Sequence, residues 1–144
     1  MESIIQIRLE EILNLLPFPN RDILLCGGAV KYICGFKDYY NDIDVIVKNN
    51  FVPKEDYKIN IYGGFKIGNI DIWQLKNHII PCKTFEEVQE TWLLSCQAIY
   101  YDVEKNKLYD KYYNENLQIN FNRDILPIEK KYINLKLSEW NVKI

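Results

Sequence analysis

Leu24-Leu25-Cys26-Gly27-Gly28-Ala29-Val30-Lys31-Tyr32-Ile33-Cys34-Gly35, followed by Asn41-Asp42-Ile43-Asp44-Val45-Ile46-Val47, is the stretch that decides the fold. It reads as a buried strand, a diglycine turn, a short helix, a loop, and a second strand that opens on two acids one residue apart. Side chains alternate across a strand, so Asp42 and Asp44 share one face while Ile43, Val45 and Val47 share the other. The apolar back asks to be buried and the acidic front to be exposed. Hard cations such as magnesium prefer carboxylate oxygens, so the front has the chemistry of a divalent-metal site.

The diglycine supplies the other half. Glycine lets the chain turn sharply and lets a ligand approach the main chain closely. At a helix start it presents unpaired amides at the positive end of the helix dipole, which suits a phosphate. A phosphate cradle and a carboxylate pair so near each other in the chain point to metal-assisted nucleotidyl transfer.

Gly27-Gly28-Ala29-Val30 followed by Asp42-Ile43-Asp44 resembles the signature of the DNA polymerase beta-type nucleotidyltransferase superfamily. The form with valine two residues after the diglycine, and glycine five after that, is most similar to the head domain of tRNA nucleotidyltransferases and bacterial poly(A) polymerases. The resemblance implies a third carboxylate on a later strand, and Ile70-Asp71-Ile72-Trp73 supplies one. It covers residues 23–75, with a compatible strand pattern to about residue 121. That family usually has arginine then aspartate after the valine. Here Lys31 and Tyr32 stand there, and lysine meets a phosphate as a point charge without arginine's bidentate fork. The helical body that carries base and tRNA recognition in those enzymes has no counterpart in this sequence.

The resemblance implies catalytic and metal-holding roles for Asp42, Asp44 and Asp71, with two magnesium ions and a nucleoside triphosphate (NTP) as substrate. Asp71 would also accept the proton of the attacking hydroxyl. The amides of Gly27 and Gly28, with Lys31 nearby, would hold the β- and γ-phosphates. Lys66 follows a second diglycine on the strand beside Asp71, and reads either as a phosphate ligand or as a solvated strand lysine. Trp73 shares the Asp71 face, and reads either as a base-stacking ring or as core. His78 reads as a surface loop residue. Lys130, Lys131, Lys136 and Lys143 read either as a nucleic-acid patch or as the solvated face of an amphipathic helix, the reading their interspersed apolar positions favour.

The bulk properties agree with a globular chain. At 144 residues it fits one domain, 1–144, with motif core 23–75 and accessory strands and helix over 84–140. Hydrophobic residues make up 48%, too many for a disordered chain. The net charge of −2 gives no general pull toward nucleic acid. No apolar run approaches the ~20 residues of a membrane span. Met1-Glu2-Ser3-Ile4-Ile5-Gln6 lacks the basic region of a signal peptide, so a cytoplasmic location is expected. Cys26, Cys34, Cys82 and Cys96 show no Cys-x-x-Cys spacing, so neither a disulfide framework nor a zinc site is expected.

Along the chain, Ser3 caps a helix to about Leu16 with Ile5, Leu9, Ile12, Leu13 and Leu16 on its packed side. Strands are expected over 23–26, 42–47, 57–62, 65–67 and 70–75. Thr84-Phe85-Glu86-Glu87 reads as a capping box starting a helix to about Leu94. Further strands are expected over 96–103, 108–110 and 117–121. A final helix starts near Pro127, with Ile128, Tyr132, Leu135 and Trp140 packed. This pattern predicts an α+β protein: a mixed nucleotidyltransferase-type sheet with helices mainly on one face, as a minimal single domain.

The expected function is a metal-dependent nucleotidyltransferase moving NMP from an NTP to an acceptor hydroxyl. The acceptor would be an RNA 3′ end, a protein side chain as in toxin–antitoxin systems, or a small molecule. A partner chain would supply the missing helical body. The alternative is a catalytically silent nucleotide-binding or partner-binding module with the same fold. Tyr32 and Ala29 favour it, and three retained acids disfavour it, because like charges held together without metal are destabilising.

Overall fold

The computed structural model describes residues 3–48, 52–60 and 63–140. In chain order it has α1 (Ile4–Leu15), β1 (Ile23–Cys26), α2 (Gly28–Ile33), β2 (Ile43–Val47), β3 (Lys58–Ile59), β4 (Phe65–Ile67), β5 (Ile70–Gln74), α3 (Phe85–Gln89), β6 (Tyr100–Asp102), β7 (Lys107–Tyr109) and α4 (Pro127–Glu139). Among the described residues the strands form one seven-stranded sheet in the order β3-β4-β5-β2-β1-β6-β7. β2 and β5 run parallel and the other neighbours are antiparallel, so the sheet is mixed. No helix among the described residues is long and apolar enough to cross a membrane.

The central strands are apolar on both faces because both faces are covered. Ile23 and Leu25 of β1, with Val45 and Val47 of β2, pack with Leu9, Ile12 and Leu13 of α1 and with Ala29, Val30 and Ile33 of α2. Leu24 and Ile46 point the other way and pack with Phe85 and Val88 of α3. Ser3 caps α1, its Oγ accepting from the Gln6 amide at 3.2 Å. The helix stops where Leu16 turns extended before Pro17. All four cysteines are free.

Several expectations are corrected. The helices do not gather mainly on one face: α1 and α2 cover one side, and α3 covers part of the other. α3 ends at Gln89, not Leu94, because the next carbonyls are claimed from outside the helix. Arg123 donates to the Thr91 carbonyl at 2.9 Å, Asn120 Nδ2 to Trp92 at 2.9 Å, and the Asn120 amide to Leu93 at 2.9 Å. The strand expected over 96–103 shrinks to β6, since Ser95–Gln97 forms a tight 3₁₀ turn. That turn is tied down by Ser95 Oγ, which donates to the Asn116 carbonyl at 3.1 Å and accepts from the Gln118 amide at 2.8 Å. The strand expected over 117–121 is a single bridge, Leu94 to Ile119. In the strand expected over 57–62 only Lys58–Ile59 pairs, and Ile61 and Tyr62 lie outside the described residues. Ile5, expected in the packed stripe of α1, is exposed.

α4 is rotated from the expected orientation by about one residue. Glu129, Ile133 and Leu137 are buried, while Leu135 and Trp140 are exposed. On this face Glu129 accepts from Arg123 through two hydrogen bonds of 2.9 and 2.6 Å, and Ile133 and Leu137 pack with Leu94 and Cys96. The neighbouring stripe Ile128, Tyr132 and Lys136 is thereby aimed at a pocket.

Candidate active site

Strand pairing builds the site. The parallel register sets Asp44 of β2 beside Asp71 of β5. The antiparallel register sets Lys66 of β4 on the other side of Asp71. On the near side Cys26 of β1 lies beside Asp44, and Tyr100 of β6 beside Cys26. Residues directly opposite across strands share a face, so Tyr100, Cys26, Asp44, Asp71 and Lys66 form one row. The row floors a pocket of about 540 Å³ that Asp42, Gly27, Gly28 and Trp73 also line.

Of the residues expected at the site, Asp42, Asp44, Asp71, Gly27, Gly28, Lys66 and Trp73 come together around this pocket. Lys31 does not. One helical turn past the corner it is 5% exposed, with its Nζ 3.2 Å from Glu115 and 5.6 Å from the Tyr113 ring centre. Its expected phosphate role is therefore corrected: the ammonium is paired with the half-exposed Glu115 outside the pocket. His78 is corrected in the opposite direction. It lines the pocket wall, edge-on to Trp73 with ring centres 6.4 Å apart, and burial lowers its pKa.

The glycine corner differs between its two members. Gly27 has φ 63° and ψ −129°, a conformation that penalises any side chain, and a Cβ there would lie 3.9 Å from Asp44 Oδ2. Its amide donates to the Ile99 carbonyl at 3.0 Å. The expectation that this amide meets a phosphate is corrected, because it already holds β1 and the turn before β6 together. Gly28 is the first residue of α2, where helix geometry leaves the amide without an internal partner. A Cβ built on Gly28 meets nothing within 4 Å, so the space beside it is open.

The electrostatics centre on Asp44. Burial, then the charges of Asp71 and Asp42, raise its pKa from 3.8 to about 7, with Lys66 and Lys136 opposing. Asp71 accepts from Asn60 Nδ2 at 3.2 Å and from Lys66 Nζ at 3.3 Å. Three carboxylates, one made reluctant to ionise by the other two, are a donor set that fits a hard divalent cation. Among the described residues no three His, Cys, Asp or Glu side chains stand converged as a metal cluster. Asp71 is instead paired with Lys66 and Asn60.

Trp73 is fixed by sterics. A Cβ on Gly64 would sit 2.6 Å from the Trp73 Nε1, so the second diglycine is where the indole rests on bare backbone. The indole N–H is buried without a partner among the described residues. The far wall adds residues that sequence reasoning missed or placed in the core: Trp92, Ile128, Glu129, Tyr132 and Lys136. A signal for α4 existed, because Ile128, Tyr132 and Lys136 recur at helical spacing. Periodicity marks a stripe but not what it faces. No family model, no curated protein and no solved structure matches the chain.

Proposed function

We propose that the chain is a metal-dependent nucleotidyltransferase that moves NMP from an NTP to an acceptor hydroxyl. The observation that carries the reading is the parallel register of Asp44 with Asp71, on the floor of a pocket that the Gly27-Gly28 corner also lines. The resemblance of the same residues to the polymerase beta-type signature supports it. Divalent ions, when bound, would polarise the α-phosphate and lower the pKa of the attacking hydroxyl. Asp42, Asp44 and Asp71 would hold them.

Asp71 would orient the acceptor hydroxyl and take its proton. The acceptor oxygen forms a bond to the α-phosphorus as the bond to the β-phosphate oxygen breaks, and pyrophosphate leaves. Lys66, released from Asp71, would move to a phosphate oxygen. The open Gly28 amide would donate to another. The apolar wall of Trp73, Trp92, Ile128 and Tyr132 would exclude water and offer flat surfaces to a base, where stacking is worth ~1–3 kcal/mol.

One observation favours a second reading. Asp71 is paired with Lys66 and Asn60, and Lys31 with Glu115, which is how a binding module without turnover would be tied down. Incubation with each α-³²P-labelled NTP, magnesium, total RNA and cell lysate separates the two. Transferase activity predicts label on RNA or on protein, lost in Asp71→Asn. Magnesium-dependent NTP binding with no label on any acceptor would leave the silent module standing instead.

A further inference from the structure

We propose that Lys136, reaching in from α4, grips the phosphate tail of the nucleotide, an inference that rests on the nucleotidyl-transfer reading. Among the described residues the pocket lining carries two ammonium groups, Lys66 and Lys136. Lys66 is held 3.3 Å from Asp71, and Lys31 is outside the pocket with Glu115. Lys136 has a weaker hold: its Nζ is 3.1 Å from Glu139, an exposed carboxylate three residues on, and 5.6 Å from the Tyr132 ring centre. A surface pair of this kind contributes little and yields to a stronger anion.

The charge balance requires such a group. A nucleoside triphosphate brings several negative charges to a pocket already lined by Asp42, Asp44 and Asp71. Metal ions would neutralise part of this, and a cation on the far wall would attract the tail away from the carboxylates. The charge of Lys136 is felt at Asp44, where it opposes the raised proton affinity, so it acts within the same field. The flexible four-carbon stem of lysine suits a ligand whose phosphates move between bound states. The rotation of α4 that buries Glu129 is what delivers Lys136 to this position.

The test compares magnesium complexes of the four NTPs with those of the matching monophosphates, titrated calorimetrically into wild type, Lys136→Ala and Lys136→Arg. Alanine is the best helix former, so α4 should remain intact. Loss of one charge-assisted hydrogen bond should weaken the triphosphate roughly tenfold in Lys136→Ala. The monophosphate should bind as in wild type, and Lys136→Arg should recover most of the loss. Equal weakening of both ligands, or no change in either, would overturn the role of Lys136 while the nucleotide site stands. A wild-type protein that binds no NTP would overturn the site and the inference together.

Discussion

Asp44→Asn is expected to abolish magnesium-dependent nucleotide binding and, at the same time, to raise the melting temperature of the metal-free protein at pH 8. The two effects have one cause. Asp44 is drawn partly out of water and flanked by Asp71 in register and by Asp42 on its own chain; burial first, then these two charges, raise its pKa from 3.8 to about 7. A group that holds its proton more tightly folded than unfolded favours the fold only while it is protonated. That contribution is complete below about pH 4, declines as pH rises, and is gone above about 7.

The full gap corresponds to ~4 kcal/mol at most, since Asp44 is only part-buried on the pocket floor. Asparagine has the same shape and cannot ionise, so it escapes the penalty. It also forfeits attraction to Lys66 and Lys136, which leaves a net gain of about 1–3 kcal/mol at pH 8, several degrees in melting temperature. Below pH 4 the two proteins should melt alike. Parallel pH profiles for wild type and variant would show that neither burial nor like charge strains Asp44.

Glu129→Ala is expected to cost about 2–4 kcal/mol of stability, measured by urea unfolding, because it removes the counter-charge of a guanidinium that is mostly out of water. Glu129 is 4% exposed, meets Arg123 through both oxygens, and accepts from the Leu126 amide at 3.1 Å at the start of α4. Arg123 would keep its bonds to the Thr91 and Asp124 carbonyls, both 2.9 Å, but these carry no counter-charge, and its buried Nε has no partner among the described residues. Replacing both members with methionine should cost far less than the single alanine, since neither charge is then left buried alone. If the single and double variants unfold at the same urea concentration, the pair does not hold α4 in place. If α4 does depend on it, Glu129→Ala should also weaken triphosphate binding by removing Lys136 from the pocket wall.

The acid-bearing half of the site was legible because its information is local. Two-residue spacing put Asp42 and Asp44 on one face, and the same alternation put Asp71 with Trp73. Parallel pairing then turned matching patterns into adjacency, which composition alone does not specify. The orientation of Lys31 was not legible. Its partner Glu115 lies far along the chain, in a segment with no periodic pattern to place it. Nor was the state of the Gly27 amide, since its acceptor Ile99 sits between a 3₁₀ turn and β6, where an unbroken strand was expected. α4 shows the same limit. Its apolar spacing marked a helix correctly, but the packed stripe holds Glu129, paired with Arg123, beside Ile133 and Leu137, and a charged residue gives no apolar signal to mark that face.

The central claim is that three aspartates and a triphosphate share divalent ions. Manganese binding followed by electron paramagnetic resonance, with a non-hydrolysable NTP present, tests it most directly. Two manganese ions should be held per chain with nucleotide, and that binding should be lost in Asp44→Asn and in Asp71→Asn. Nucleotide bound equally well without the metal, or manganese binding untouched by either substitution, would contradict it.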